Sequence, residues 1–548
     1  MGAGKIIGGS LGSCVHVAGV ANFLALARER GWETVFLGPA LSPARVVAAV
    51  REHDPDIVAL SYRLAPETAS AVIAELKRLV EAEGEAGRRY AFGGTSPVCR
   101  VARQSGLFEA VFNGSDDAAA VLAWLEQRDA VAVERPGPDS LPGRIEAKAP
   151  YPLLRHHFGQ PTVHATVDGA RRIAQAGVLD VISLGPDQNA QECFFRPEEM
   201  AVGEDGAGGV PVRSPADLRA IYEATRCGNF PLVRCYSGTR DLIRWAEVSV
   251  ETVRQAWAAI PLCWYNVLDG RSDRVPDESI AENQAAIRWY AQRDVPVEVN
   301  EAHHWSLRQA HDAVAVAAAY LAAYNAKALG VRTYVAQYML NTPPQTSPAM
   351  DLAKMLAKRE LIESLSDHNF SVLTQVRAGL THFRTEANLA KGQLAASTAL
   401  GLALDPHIVH VVGYCEADHA ATAEEVIESC QIVHGVLADL LTDLPGLAAH
   451  PRIEQRRQEL LAEARLILEA VPRYAPAGVD DALADARTLA ACIRAGLLDA
   501  PHLQPSAHCR GDLRTRMVGG ACVAWDEAEN GPLSESERIA RLPAPAQA

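Results

Sequence analysis

Lys5-Ile6-Ile7-Gly8-Gly9-Ser10-Leu11-Gly12-Ser13-Cys14-Val15-His16-Val17-Ala18-Gly19 is an apolar run that breaks into a glycine-bearing loop. The loop leads directly into an amphipathic stretch, HVAGVANFLALARER. An apolar run without polar alternation marks a strand buried on both faces, as in a parallel sheet. The same pattern recurs downstream. The runs ETVFLG, DIVALSY, RYAFGG and AVFNG follow, separated by SPARVVAAVREH, PETASAVIAELKRLVEAE, PVCRVARQ and DDAAAVLAWLEQ. Five strand–helix units between Lys5 and about Gln127 predict an α/β, flavodoxin-like, doubly wound domain over residues 1–130.

Residues 131–155 are rich in Pro, Gly and charge and read as a linker. Beyond them the sequence predicts eight more strands: VHATV at 163, DVISLG at 180, PLVRCY at 231, IPLCWYN at 260, VPVEVNE at 295, VRTYVAQ at 331, FSVLTQ at 370 and HIVHVVG at 407. Helical stretches separate them, which is the pattern of a TIM (β/α)8 barrel over residues 156–440. Residues 441–548 read as a helical C-terminal extension with a small hairpin, RTRMVGGACVAWD, and a disordered Pro/Ala-rich tail.

The formal net charge of -15 argues against a nucleic-acid partner, which needs a basic face. No apolar run reaches the ~18 residues of a membrane helix. The apolar N-terminus is Gly-rich with a single Lys, which fits a buried strand better than an export signal. The 11 cysteines are scattered without a C-x-x-C pair, so free thiols and a cytoplasmic location are expected. A homodimer is one expectation for the assembly, and a small molecule is the expected partner.

Ligands of a doubly wound sheet sit at the carboxyl ends of its strands. Three segments fall there: Ser13-Cys14-Val15-His16 with Gly19, Ser61-Tyr62-Arg63, and Gly93-Gly94-Thr95. Gly114 closes the fifth run. A loop His can present a ring nitrogen to a transition metal. Gly19 is expected to let the helix approach the sheet and to leave room for a ligand tail. Small and hydroxylated residues at 61 and 93–95 can line a narrow slot.

These segments resemble the B12-binding domain of cobalamin-dependent mutases and methionine synthase, which carries D-x-H-x-x-G, then S-x-L, then G-G. Here the motifs stand as Cys14-x-His16-x-x-Gly19, Ser61-x-Arg63 and Gly93-Gly94. The resemblance implies base-off cobalamin binding, with His16 as the cobalt ligand and the nucleotide tail buried beside Ser61 and Gly93. Two departures stand out. Cys14 replaces the Asp that orients the His, a role a thiol fills only weakly. Arg63 replaces a Leu.

The barrel segment resembles the large subunit of glutamate mutase. Val233-Arg234-Cys235-Tyr236-Ser237-Gly238-Thr239 is similar to a family strand whose Arg binds a substrate carboxylate, and this implies that role for Arg234. Trp264-Tyr265-Asn266, the stretch Glu278 to Leu307, and HIVHVVGYCEADHAAT follow further family segments. The last implies that Glu416 contacts an adenosyl ribose. The family Lys of that strand falls on Gly413, and the family's catalytic Glu falls nearest Ala302, beside Glu301. A substrate with one carboxylate, or an amino acid of different shape, is therefore expected.

Read from the residues alone, Glu301, His303 and His304 end a strand and can bind an ammonium group or move protons. Asp187, Gln188, Asn189, Gln337, Tyr338, Asn341 and Gln375 follow other strands at the active-site face of a barrel. Lys354 and Lys358 lie in an amphipathic helix, so no pyridoxal phosphate is expected. Together the readings predict an adenosylcobalamin-dependent isomerase, a radical mutase acting on a small carboxylate-bearing substrate. Two alternatives are a corrinoid methyltransferase and a non-enzymatic B12 carrier or sensor.

Overall fold

The computed structural model describes residues 4–113, 118–125, 137–236, 238–441 and 446–543. The chain divides into two compact units, Met1–Val133 and Glu134–Ala548.

The first unit holds five strands: β1 (Lys5–Leu11), β2 (Glu33–Leu41), β3 (Ile57–Tyr62), β4 (Arg89–Gly94) and β5 (Ala110–Asn113). All pair in parallel, in the order β2-β1-β3-β4-β5. Every residue of β3 is buried. Val58 and Leu60 pack with Val46, Ile73 and Leu76 on one face. Ile57 and Ala59 pack with Val20, Phe23, Leu24 and Trp124 on the other. A sheet covered on both faces explains the unbroken apolar runs. The chain leaves β1 for β2 on one side and β3 on the other. That reversal opens a crevice at the carboxyl ends, which is where such folds take ligands.

The second unit holds eight parallel strands: β6 (Leu153–Phe158), β7 (Val181–Leu184), β8 (Leu232–Cys235), β9 (Ala258–Ile260), β10 (Val297–Val299), β11 (Thr333–Leu340), β12 (Ser371–Ala378) and β13 (Ile408–His410). Their order, β8-β7-β6-β13-β12-β11-β10-β9, is that of a nearly closed (β/α)8 barrel. The seam lies between β8 and β9. There the Ala256 N–H donates to Val233 O at 2.9 Å. The Gln255 amide accepts from the Cys235 N–H at 2.8 Å and donates to Cys235 O at 2.7 Å.

Two strand expectations need correcting. VHATV at 163 opens a helix, Val163–Ala176. Thr162 caps it, its hydroxyl accepting from the Ala165 N–H at 3.1 Å. The buried positions Thr166, Ala170, Ile173 and Ala174 follow helical spacing. The first barrel strand is instead β6, whose start falls in the stretch read as linker, together with a helix at Leu141–Lys148. The fourth strand ends at Ile260, so Leu262 to Asn266 form a loop at the barrel's carboxyl face rather than a strand.

The C-terminal extension is part of the barrel's core. Leu460, Leu461 and Ile467 of helix Pro451–Ala470 share one apolar cluster with the barrel helices. The expected hairpin is present as Thr515–Val518 paired with Ala521–Asp526, with a short third strand at Gly531–Pro532. The tail read as disordered falls largely at 544–548, outside the described residues, as do residues 131–136 of the linker and 126–130 before it. Among the described residues, no helix is long and apolar enough to cross a membrane.

Candidate functional site

In the first unit, the loop after β1 is folded by its own polar groups. The Ser10 hydroxyl donates to Cys14 O, and the Ala40 N–H donates to Ser10 Oγ at 3.2 Å. This pulls Cys14 fully into the core while His16 stays exposed. Cys14 Sγ lies 3.7 Å from His16 Nδ1, which leaves Nε2 as the outer ring nitrogen. The Ser61 hydroxyl reaches His16 O at 3.5 Å.

A cavity of about 760 Å³ opens at this edge of the sheet. Of the residues predicted from sequence, His16, Gly19, Ser61, Arg63, Gly93, Gly94 and Thr95 all line it. Ser13 is exposed on the turn and does not line it. Cys14 is buried in the apolar core and does not line it, and Gly114 is outside the described residues. The glycines divide by role. A Cβ on Gly93 or Gly19 would meet nothing within 4 Å. A Cβ on Gly94 would lie 2.5 Å from Tyr62 O. So Gly93 keeps the slot open and Gly94 lets β3 and β4 pair. The close helix–sheet approach expected of Gly19 belongs instead to Gly8, whose added Cβ would lie 2.9 Å from Val20 Cγ2.

The residues fit a corrinoid. The volume falls in the range of small-molecule sites, and the two open glycines leave a walled slot. His16 stands at its mouth with one ring nitrogen held by Cys14. In such a site His16 would take the metal, and the Ser61–Gly93 slot would take the nucleotide tail.

In the barrel, β6 supplies a group the sequence reading passed over. Arg155 is 1% exposed and spans the interior. Its Nε donates to Ser183 Oγ at 2.7 Å and its Nη1 to Gln375 Oε1 at 2.9 Å, while Nη2 lies 2.6 Å from His157 Nε2. Burial pushes its guanidinium down to about 9. Arg234 on β8 is fully buried beside it. Both guanidiniums face Glu298 of β10, at 3.7 Å and 3.4 Å. Glu298 also accepts from the Trp257 indole at 2.7 Å. Yet Arg234 Nε and Nη2 are buried with no hydrogen-bond partner. Arg377 on β12 bonds to Ala378 O at 3.2 Å and has no carboxylate partner among the described residues.

Around these cations the imidazoles are neutral. Burial, then the charge of Arg155, holds His157 and His410 well below the usual imidazole range. Burial, then Arg377, does the same for His303, and burial, then His303, for His304. His157 meets the Tyr236 hydroxyl at 2.5 Å and the His410 ring at 4.4 Å. A hydrogen-bonded chain runs from Arg155 through Gln375 and Gln337 (3.2 Å) to His303 Nδ1 (3.1 Å).

The other predicted residues separate. Glu301 is buried with its carboxylate fully engaged, accepting from the N–H groups of Leu262 and Cys263 at 3.0 Å each and from the Trp305 indole at 2.7 Å. It fixes the loop after β9. His304 packs on Tyr265, with ring centres 5.6 Å apart. Glu416 accepts from the Gly413 N–H at 2.8 Å and lies 3.3 Å from His156 Nε2. Asp187 is engaged by Arg213 at 2.6 Å, and Asn189 by Ala201 at 2.9 Å. Asn341 accepts from Ser397 at 2.9 Å, and Gln188 bonds to Glu192. Tyr338 is fully buried with an unpartnered hydroxyl. Lys354 forms buried ion pairs with Asp312 at 3.3 Å and Asp351 at 3.4 Å.

The fold and crevice of the first unit define a cobalamin-binding domain of flavodoxin-like architecture. Residues 4–123 match the family described as "B12 binding domain". Among solved structures, a novel cobalamin-binding protein from Desulfitobacterium hafniense DCB-2 is 25% identical, with 22% of this chain and 57% of that chain covered and a TM-score of 0.20. The methanol:cobalamin methyltransferase complex from Methanosarcina barkeri is 21% identical, with 23% and 48% covered and a TM-score of 0.20. A 2,3-dimethylmalate lyase of the PEP mutase/isocitrate lyase superfamily is 14% identical, with 60% and 96% covered and a TM-score of 0.28. The chain thus spans about half the length of the first two. The comparison with curated proteins gives no match.

Proposed function

We propose that this protein is a cobalamin-dependent enzyme, an adenosylcobalamin radical mutase that rearranges a small carboxylate-bearing substrate, such as an amino acid. One observation supports the substrate class above others. Arg234 is buried, shares one carboxylate with Arg155, and still has two guanidinium nitrogens without a partner. A planar guanidinium with a free edge suits bidentate grip of a carboxylate. Sequence reading located Arg234 alone. Arg155 and Arg377 share the same interior and supply charge for a second anionic group.

Adenosylcobalamin, when bound, supplies a carbon-centred radical by homolysis of its cobalt–carbon bond. The chain's own residues do the rest. Arg234 holds the substrate carboxylate. His157, His303 and His410 stay neutral, so they orient the substrate by hydrogen bonds without adding charge. The Tyr236 hydroxyl lies on the same wall as His157. The buried interior keeps water from the reacting carbon. Glu416 is placed by Gly413 to accept a hydroxyl.

The test is anaerobic electron paramagnetic resonance of the protein with adenosylcobalamin and a survey of amino and hydroxy acids. A substrate-dependent signal from cob(II)alamin coupled to an organic radical is expected. Methyl transfer from methylcobalamin with no radical signal from any substrate would overturn the mutase and favour a methyltransferase. Cobalamin binding with neither activity would leave a carrier.

A further inference from the structure

The loop between β13 and helix Ala423–Leu440 carries a cluster that the proposed reaction does not use. Cys415, His419 and Glu425 bring a thiol sulfur, an imidazole nitrogen and a carboxylate oxygen within 4.8 Å of one another. The backbone builds the cluster. The His419 N–H donates to Cys415 O at 3.0 Å, so residues four apart share one side of a turn. Glu425 stands at the third position of the helix.

The candidate ligand atoms face one another, and the remaining polar atoms of His419 and Glu425 are tied. His419 Nδ1 is held by Asp418 at 2.9 Å, and Nε2 faces Glu425 Oε1 at 2.8 Å. The second Glu425 oxygen is spent in the capping box, accepting from the Thr422 N–H at 2.9 Å and the Thr422 hydroxyl at 2.8 Å. Cys415 is buried under the loop, while His419 and Glu425 retain side-chain exposures of 50% and 20%. The soft ligand is thus buried and the two harder ones reach solvent.

We infer that Cys415, His419 and Glu425 form a site for a divalent transition metal of zinc type, with water as the fourth ligand. Three different donors at this spacing suit a tetrahedral ion, with bonds of about 2.0–2.3 Å. The ligand atoms have to draw together by roughly an ångström to reach that geometry. On an exposed turn the His419 and Glu425 side chains have room to do so. A carboxylate on the far nitrogen of a ligating imidazole is the usual support for such a ligand, and Asp418 supplies it. As the metal–sulfur bond forms, the Cys415 proton leaves to solvent. Thiolate and carboxylate then balance the two positive charges. Glu416 lies within this loop, so the ion would also fix the backbone that presents it. The inference does not depend on the reaction proposed for the barrel.

The test uses the full-length chain, stripped of metal and free of cobalamin. It is titrated with Zn²⁺ against a chromogenic chelator, and separately with Co²⁺, whose thiolate charge-transfer band reports sulfur ligation. One equivalent and a sulfur band are expected. His419→Ala and Cys415→Ser should each weaken binding by more than tenfold. Cys415→Ser should also remove the band. Asp418→Asn should weaken binding roughly 10- to 100-fold. His419 is half exposed, so its variant should keep the parent circular dichroism and serve as the decisive measurement. No stoichiometric binding, or binding unchanged in a folded His419→Ala, would overturn the site.

Discussion

Cys14 Sγ stands 3.7 Å from Nδ1 of His16, on a cysteine that is wholly buried while its histidine is exposed. The thiol is the group that meets the inner ring nitrogen. It is a weak hydrogen-bonding group, so it fixes the ring's direction more than it raises the basicity of Nε2. Removing it should therefore be felt, though at the mild end of what the loss of a ligand-supporting contact costs. Cys14→Ala is expected to weaken cobalamin binding about tenfold. His16→Ala should abolish the absorption change that marks displacement of the cofactor's own base. Absorbance titration with aquocobalamin measures both. An unchanged affinity and spectrum in His16→Ala would remove His16 as the ligand.

Arg234 gives the second prediction. Its partner Glu298 also faces Arg155 and the Trp257 indole, so Arg234→Met leaves that carboxylate paired. The protein should fold. Substrate-carboxylate affinity should fall roughly 10- to 150-fold, the worth of about 1.5–3 kcal/mol for a charged hydrogen bond. Calorimetric titration with small mono- and dicarboxylates, before and after substitution, reads the effect. Equal affinity in the variant would place the anion elsewhere.

Stability should fall as the pH drops below about 6.5. His157, His303, His304 and His410 stay neutral in the fold well below the usual imidazole range. The unfolded chain takes up those protons near 6.5 and the folded chain does not. Each such histidine therefore costs up to about 1.4 kcal/mol per pH unit through that window. Glu301, Asp351, Glu463 and Asp499, whose carboxyls burial pushes up, act in the opposite sense, against these four histidines and against His156, His382 and His407, which burial also holds low. Thermal unfolding should show a lower Tm at pH 5.5 than at 7.5. The drop should be smaller in His303→Gln, which keeps a polar partner for Gln337. Parallel profiles for the two proteins would contradict the assignment.

The first unit was legible in the sequence because its signals are local. Unbroken apolar runs mark the strands, and their carboxyl ends and the loops after them carry His16, Ser61 and Gly93 to the cavity. The barrel was legible in its number of units but not in its phase. β6 carries Arg155, His156 and His157 within six residues, and the start of a strand so polar reads as linker. Its inward Arg155 is met largely by residues distant in sequence, such as Gln375 and Glu298. For the same reason Arg377, His410 and Glu298 escaped notice, since each is one polar residue in an ordinary strand. Glu301 shows what a strand-end position leaves out. Its place at a strand end suggested chemistry, whereas three donors already hold its carboxylate.

Gly93 and Gly94 are neighbours that should fail in different ways. A methyl group on Gly94 would press against Tyr62 O at 2.5 Å and Phe92 Cε1 at 3.2 Å. The first contact is backbone of the paired strand and cannot turn aside, so Gly94→Ala should cost about 1–3 kcal/mol of stability. A methyl group on Gly93 meets nothing within 4 Å and points into open space that lines the cavity. Gly93→Ala should therefore unfold at the parent temperature yet bind cobalamin at least several-fold more weakly. Thermal unfolding of the cofactor-free proteins separates the two, and absorbance titration completes the comparison. If Gly93→Ala binds like the parent, the cofactor's nucleotide tail does not run beside β4. If Gly94→Ala is as stable as the parent, the β3–β4 spacing is looser than the register Tyr62↔Gly94 requires.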